Sequence, residues 1–99
     1  MKLAYLTIAR FSGDPDALLG QYERSSETMS GVGRDHGLIL HAAGKTGEGL
    51  LVINLWPSEV ESEAAARDPR RLDVLAQSGL TPGDISREHY EIASYEVFG

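Results

Sequence analysis

Four strand-like runs and two helix-like segments follow one another in the order β-α-β-β-α-β, and that order predicts an α+β fold. The arrangement is the split βαβ, ferredoxin-like one: an antiparallel four-stranded sheet whose right-handed crossovers put both helices on one face. Three observations carry the prediction. Residues 2–11 alternate apolar side chains with period two, Asp14-Pro15 and Ser58-x-x-Glu61 mark two helix starts, and Gly37–Pro57 reads as a β-hairpin. The 99 residues suffice for one domain, 1–99, with a single core.

The first strand, KLAYLTIARF, sets Ala4, Leu6 and Ile8 on one side and Leu3, Tyr5, Thr7, Ala9 and Phe11 on the other. Ser12-Gly13 breaks it. Asp14 then supplies an N-cap and Pro15 the first helical position. Leu18, Tyr22, Ser25 and Met29 follow at i+4, i+3 and i+4 spacing, which predicts an amphipathic helix ending before Gly31. Gly31, Gly33 and Gly37 are expected to form a loop.

The hairpin GLILHAAGKTGEGLLVINLWP turns at its Gly-rich tip, with Leu40 expected opposite Ile53 and His41 opposite Val52. Leu38, Leu40, Ala42, Leu51, Ile53 and Leu55 then share one face, and Ile39, His41, Val52, Asn54 and Trp56 the other. The uniformly aliphatic face is expected to pack under the helices. The mixed face, with Tyr5 and Phe11 beside it, is expected to stay open. An apolar patch of that size needs a cover, and the cheapest is a second copy, sheet face to sheet face across a two-fold axis.

Trp56-Pro57 ends the hairpin, and Ser58-x-x-Glu61 opens a second helix that Asp68-Pro69 ends or kinks near Arg67. Leu72, Leu75 and Ala76 add a turn or two up to Ser78-Gly79. Residues 81–86 are expected to be loop, and HYEIASYEVF (89–98) the last strand. Tyr90 and Tyr95 fall on opposite faces of it, so at most one enters a site on the sheet.

Composition narrows the function classes. A hydrophobic share of 41% and a charged share of 24% are those of an ordinary globular chain. A net charge of −6 argues against nucleic acid as a partner. No window approaches the roughly 20 apolar residues of a membrane span, and the N-terminus lacks a signal-peptide pattern. With no cysteine, disulfides, thiol nucleophiles and Cys-based metal sites are excluded, and the expected location is the cytoplasm. Gly31-x-Gly33-x-x-x-Gly37 misses the dinucleotide fingerprint, and Gly44-Lys45-Thr46 lacks the earlier glycine of a phosphate loop. His36 and His41 have no carboxylate companion at ligand spacing, so no metal is expected.

Candidate chemistry gathers on the mixed face. His41 is a candidate general base, its imidazole changing charge near neutral pH; Asn54 is a candidate donor to an oxyanion. Trp56 offers a flat wall to an aromatic ligand, Tyr5 a phenolic hydroxyl, and Ile39 and Val52 apolar lining. The competing role of each is packing or interface contact.

The segments GLILHAAG (37–44), VINLWPS (52–58) and SEVESEAAARDP (58–69) resemble the dimeric α+β barrel superfamily, and in it the antibiotic-biosynthesis-monooxygenase-like proteins of a mostly uncharacterised bacterial branch. The resemblance covers nearly the whole chain in element order. It implies a homodimer with a pocket in each subunit that binds a small aromatic or apolar molecule. It also implies cofactor-independent oxygenation as the activity, with His41 as base, Asn54 as anion stabiliser and Trp56 as stacking wall. Haem-degrading relatives use an Asn on the first strand and a His on the second helix; strand 2–11 has no Asn and residues 58–78 no His, so no cofactor is expected. The alternative is a non-catalytic ligand-binding or stress-associated dimer. A cavity above roughly 300 Å³ walled by His41 and Asn54 would favour a ligand site. Filling of that space by Tyr5, Phe11 and Trp56 would favour a structural role.

Overall fold

The computed structural model describes residues 3–99. Strand β1 (Ala4–Ser12) leads into helix α1 (Pro15–Asp35), the hairpin β2 (Leu40–Lys45) and β3 (Gly49–Trp56), helices α2 (Glu59–Ala66) and α3 (Pro69–Ser78), and strand β4 (Ile85–Ile92). The sheet is antiparallel throughout, in the order β2-β3-β1-β4. Consecutive strands β2 and β3 pair directly, while β1 and β4 meet in the middle and at the edge after crossing over α1 and α2–α3. This is the ferredoxin-like α+β fold. Lys2, the expected first residue of β1, lies outside the described residues.

Asp14 caps α1, its carboxylate accepting the Ala17 N–H at 2.9 Å, with Pro15 at the first helical position. The helix does not stop before Gly31. It continues through Gly31 and Gly33 to Asp35: Gly31 takes an ordinary helical position, and Gly33 serves close packing, since a Cβ there would lie 2.7 Å from Leu38 Cδ2. The glycine that ends α1 is Gly37, at φ 78°, with the Leu38 N–H folding back onto the Gly33 carbonyl at 2.8 Å.

The hairpin register differs from expectation by two residues. Leu40 pairs with Leu55 and His41 with Asn54, since the tip is Thr46–Glu48 and the Thr46 N–H donates to Gly49 O at 2.9 Å. A two-residue slip keeps every side chain on its own face. Only glycine fits at position 49, where a Cβ would sit 1.8 Å from the Phe11 carbonyl oxygen.

Ser58 and Glu61 bond side chain to side chain, without the side-chain-to-backbone bond of a capping box. The kink at Asp68-Pro69 is a true break: Asp68 caps a separate ten-residue helix by accepting the Arg70 N–H at 2.9 Å. The last strand begins at Ile85, not His89, and ends at Ile92. Its extent is set by β1, whose first residue, Ala4, already pairs with Ile92.

The two sheet faces are reversed with respect to the helices. The core cluster joins Trp56 of β3 to Val32 of α1 and Ala65 of α2, with Tyr5 and Leu38 packed against it. The helices therefore cover the face of Tyr5, Thr7, His41, Leu50, Val52, Asn54 and Trp56. The aliphatic face of Leu6, Ile8, Leu40, Ala42, Leu51 and Ile53 carries no helix, although Ala4 and Leu55 at its end are buried, at 7% and 8% exposure. Arg10 and Tyr90 lie there too, both bonded to Glu88 (3.2 and 2.7 Å). The physical reason is that α1 and α2 bring polar partners as well as bulk, so the mixed face can be covered without stranding its polar atoms.

Candidate functional site

Registers across the sheet place four polar residues in one transverse row under the helices. His41 pairs with Asn54, Asn54 with Thr7, and Thr7 with His89, one from each strand. At about 4.8 Å per strand the row spans roughly 14 Å. On one flank stand Trp56 and Tyr5, register partners, with Ile39 level with them just before β2; on the other stands Val52. The six residues singled out from the sequence thus share one face in three adjacent rows. That face, however, lies on the helix side.

Helix α1 runs antiparallel along the edge strand β2. Near its start Asp16 pairs with Lys45 (2.9 Å), and six residues on Tyr22 meets His41. Six helical residues rise about 9 Å and four strand residues about 13 Å, so helix and strand run side by side over this stretch with the helix tilted against the strand. The Tyr22 hydroxyl lies 2.6 Å from His41 Nε2, with the rings near-parallel at 16° and 5.8 Å between centroids. On the other side of the imidazole, Nδ1 lies 2.6 Å from Asn54 Oδ1. Tyr22, His41 and Asn54 form a continuous hydrogen-bonded chain at the exposed edge of the sheet. Asn54 Nδ2 makes no hydrogen bond among the described residues, which leaves its two N–H donors unused.

Trp56 is in the core. It is 6% exposed, packs on Val32 and Ala65, and its indole N–H donates to Thr7 Oγ1 at 3.4 Å. Tyr5 stacks on His89 at 5.9 Å, and its phenol is pushed up from the usual tyrosine range by partial burial and then by the carboxylates of Glu59 and Glu63. It is held neutral. Two open clefts lie elsewhere. One of about 240 Å³ sits among Leu75, Leu80, Pro82, Ile85 and Arg87; another of about 370 Å³ lies by Phe11 and the hairpin tip. Neither touches His41 or Asn54.

Sequence reasoning missed Tyr22, Thr7 and His89 as members of this site. The signal for Tyr22 was present: it follows Leu18 at i+4 on the helix stripe, and the stripe that buries Leu18 must face the sheet. Thr7 and His89 are found only through the register of β1 with β3 and β4, which local sequence does not encode.

Solved structures place this architecture among known ones. The monooxygenase from the gene ActVA-Orf6 of Streptomyces coelicolor, determined with the ligand nanaomycin D, superposes with a TM-score of 0.68 at 13% identity, over 97% of this chain and 92% of that one. SnoaB, a cofactor-independent oxygenase from Streptomyces nogalater, gives 0.61 at 13% identity, over 96% and 94%. A dimeric ferredoxin-like protein of unknown function from Thermobifida fusca gives 0.67 at 17%, over 93% of each chain. The chain has the antibiotic-biosynthesis-monooxygenase-like fold. No protein-family profile matches the sequence, and no curated protein is similar to it in sequence. At these identities the likeness concerns the fold. No helix among the described residues is long and apolar enough to cross a membrane.

Proposed function

We propose that the protein is a cytoplasmic single-domain homodimer that binds a small phenolic or otherwise aromatic molecule at the His41–Asn54 edge and promotes its oxygenation by dioxygen without a cofactor. The observation that carries the proposal is the pairing of His41 with Asn54 in adjacent strands, 2.6 Å apart, with the Asn54 amide N–H groups left over to face an anion. His41 supplies the basic nitrogen that drives deprotonation of the phenol, Asn54 stabilises the anion that forms, and the delocalised, carbanion-like form meets dioxygen. Trp56, Tyr5, Ile39 and Val52 form the apolar floor behind this pair. The fold shared with two oxygenases supports the same direction.

Dimerisation is proposed through the uncovered face, where Leu40 is 44% exposed and Leu6, Ile8, Leu51 and Ile53 continue the aliphatic surface. A contiguous aliphatic surface without a helix over it suits a self-complementary contact with a second copy. The expected test is oxygen uptake with a panel of phenols and anthrone-type carbon acids. Turnover that His41→Ala and Asn54→Ala abolish supports the proposal, and wild-type rates in both variants refute the assignment of these residues.

One observation favours a second role, a non-catalytic ligand-binding dimer. Trp56 and Tyr5 fill the space between sheet and helices instead of walling a cavity. In that case the same phenols quench or shift Trp56 fluorescence or raise the melting temperature, with no oxygen consumed.

A further inference from the structure

The hydrogen bonds around His41 fix which of its nitrogens is basic. Asn54 presents Oδ1, which only accepts, so His41 Nδ1 carries the proton and donates it there. In the neutral imidazole Nε2 then holds the lone pair, and it accepts the Tyr22 O–H at 2.6 Å. The one basic nitrogen of His41 is therefore already occupied, and the group in front of it is a phenol. The chain of nucleophile or acid, imidazole and orienting amide repeats the logic by which a histidine activates a hydroxyl while a third group holds its tautomer.

We propose that Tyr22 is a catalytic residue: its hydroxyl oxygen, and not His41 directly, takes the proton from the bound substrate. This rests on the ligand site proposed above. In the step, the substrate O–H or C–H bond breaks and its proton forms a new O–H on Tyr22. The original Tyr22 O–H breaks and its proton forms Nε2–H. A neutral pair becomes a substrate anion and an imidazolium, whose Nδ1–H remains held by Asn54. Charge and atoms balance, and no oxidant is consumed until dioxygen meets the anion.

Tyr22 is well placed for this. It projects from the middle of α1, which the Asp16–Lys45 pair and the packing of Leu18 near Gly49 fasten to the hairpin, while His41 is exposed at the sheet edge. The two rings are near-parallel at 16°, with the phenol oxygen 2.6 Å from Nε2. The other three tyrosines, Tyr5, Tyr90 and Tyr95, serve as internal controls.

The experiment needs no natural substrate. Purified protein is treated with 4-toluenesulfonyl fluoride, which sulfonylates activated phenols, and each tyrosine is followed by peptide mass spectrometry. The expected result is that Tyr22 reacts at least tenfold faster than Tyr90, that His41→Gln lowers the Tyr22 rate at least tenfold, and that Asn54→Leu lowers it about threefold or more, with the Tyr90 rate and the circular dichroism spectrum unchanged. Equal Tyr22 rates in wild type and His41→Gln overturn the relay. Oxygen uptake with anthrone separates the two proposals. Fast Tyr22 labelling without uptake removes the oxygenase function and keeps the relay. Uptake that survives Tyr22→Phe but not His41→Gln removes the relay and leaves His41 as the direct base.

Discussion

Replacing Trp56 by alanine tests the placement of the helices on the mixed sheet face. At 6% exposure the indole buries about 200 Å², which at about 25 cal/mol per Å² corresponds to roughly 5 kcal/mol of transfer free energy. The unfolded chain already hides part of that surface, so the expected loss is about 3–5 kcal/mol, the range of large-to-alanine changes in packed cores. The void opens between Val32, Ala65 and Tyr5, from three different elements that cannot all collapse onto it, which favours the upper half of that range. For a chain of this length each kcal/mol moves the melting temperature by about 4–8 °C, so a fall of roughly 12–40 °C is expected. Thermal unfolding followed at 222 nm measures it. If Trp56→Ala melts within a few degrees of the wild type, the indole is not in the core and the face assignment is wrong.

Ile53→Glu sets a charge in the middle of the uncovered face; sedimentation should then show a 10.7 kDa particle in place of one twice as heavy, with unchanged circular dichroism. The two helical glycines should respond with opposite signs. Gly33→Ala drives its Cβ into Leu38 and should cost about 1–3 kcal/mol, whereas Gly31→Ala meets only the Arg70 guanidinium at 3.4 Å and should gain about 0.5–1 kcal/mol in urea unfolding. Asp68 accepts from Arg70 and from His36 (3.0 Å), and these bonds hold its carboxyl below the usual aspartate range. A depressed carboxyl stabilises the fold at pH values above its unfolded pKa, and that contribution fades as the pH drops below about 4. The urea midpoint should fall over that acid range, and Asp68→Asn should flatten the fall.

The order of elements was legible because its marks are local: Asp14-Pro15, Asp68-Pro69 and the alternation of 2–11 each act within a few residues. The partition of the hairpin into two faces was legible for the same reason, and it survived a register error of two. What period two cannot encode is which face the helices take. The mixed face looked unsuited to a core because His41, Asn54 and the Trp56 indole carry polar atoms. Their partners, Tyr22 on α1 and Thr7 on β1, are respectively 19 and 49 residues from the groups they satisfy. Satisfaction at such distance is a tertiary fact. The end of β4 was misplaced for a related reason, since the alternation of 89–98 continues past the point where β1 has residues left to pair with.

With the faces assigned as found, the proposed chemistry and the proposed interface lie on opposite sides of one sheet. His41, Asn54 and Thr7 look toward the helices, while Leu40, Ile53 and Leu6, their chain neighbours, look away. A strand four residues long suffices to carry a member of each set, because successive side chains point to opposite faces. The proposed dimer contact would therefore bury aliphatic surface without touching the hydrogen-bonded chain. Trp56, buried against Val32 and Ala65, fixes the sheet face that carries the chain, and His41, exposed at the sheet edge, is the member of the proposed site that a ligand would reach without unpacking the core.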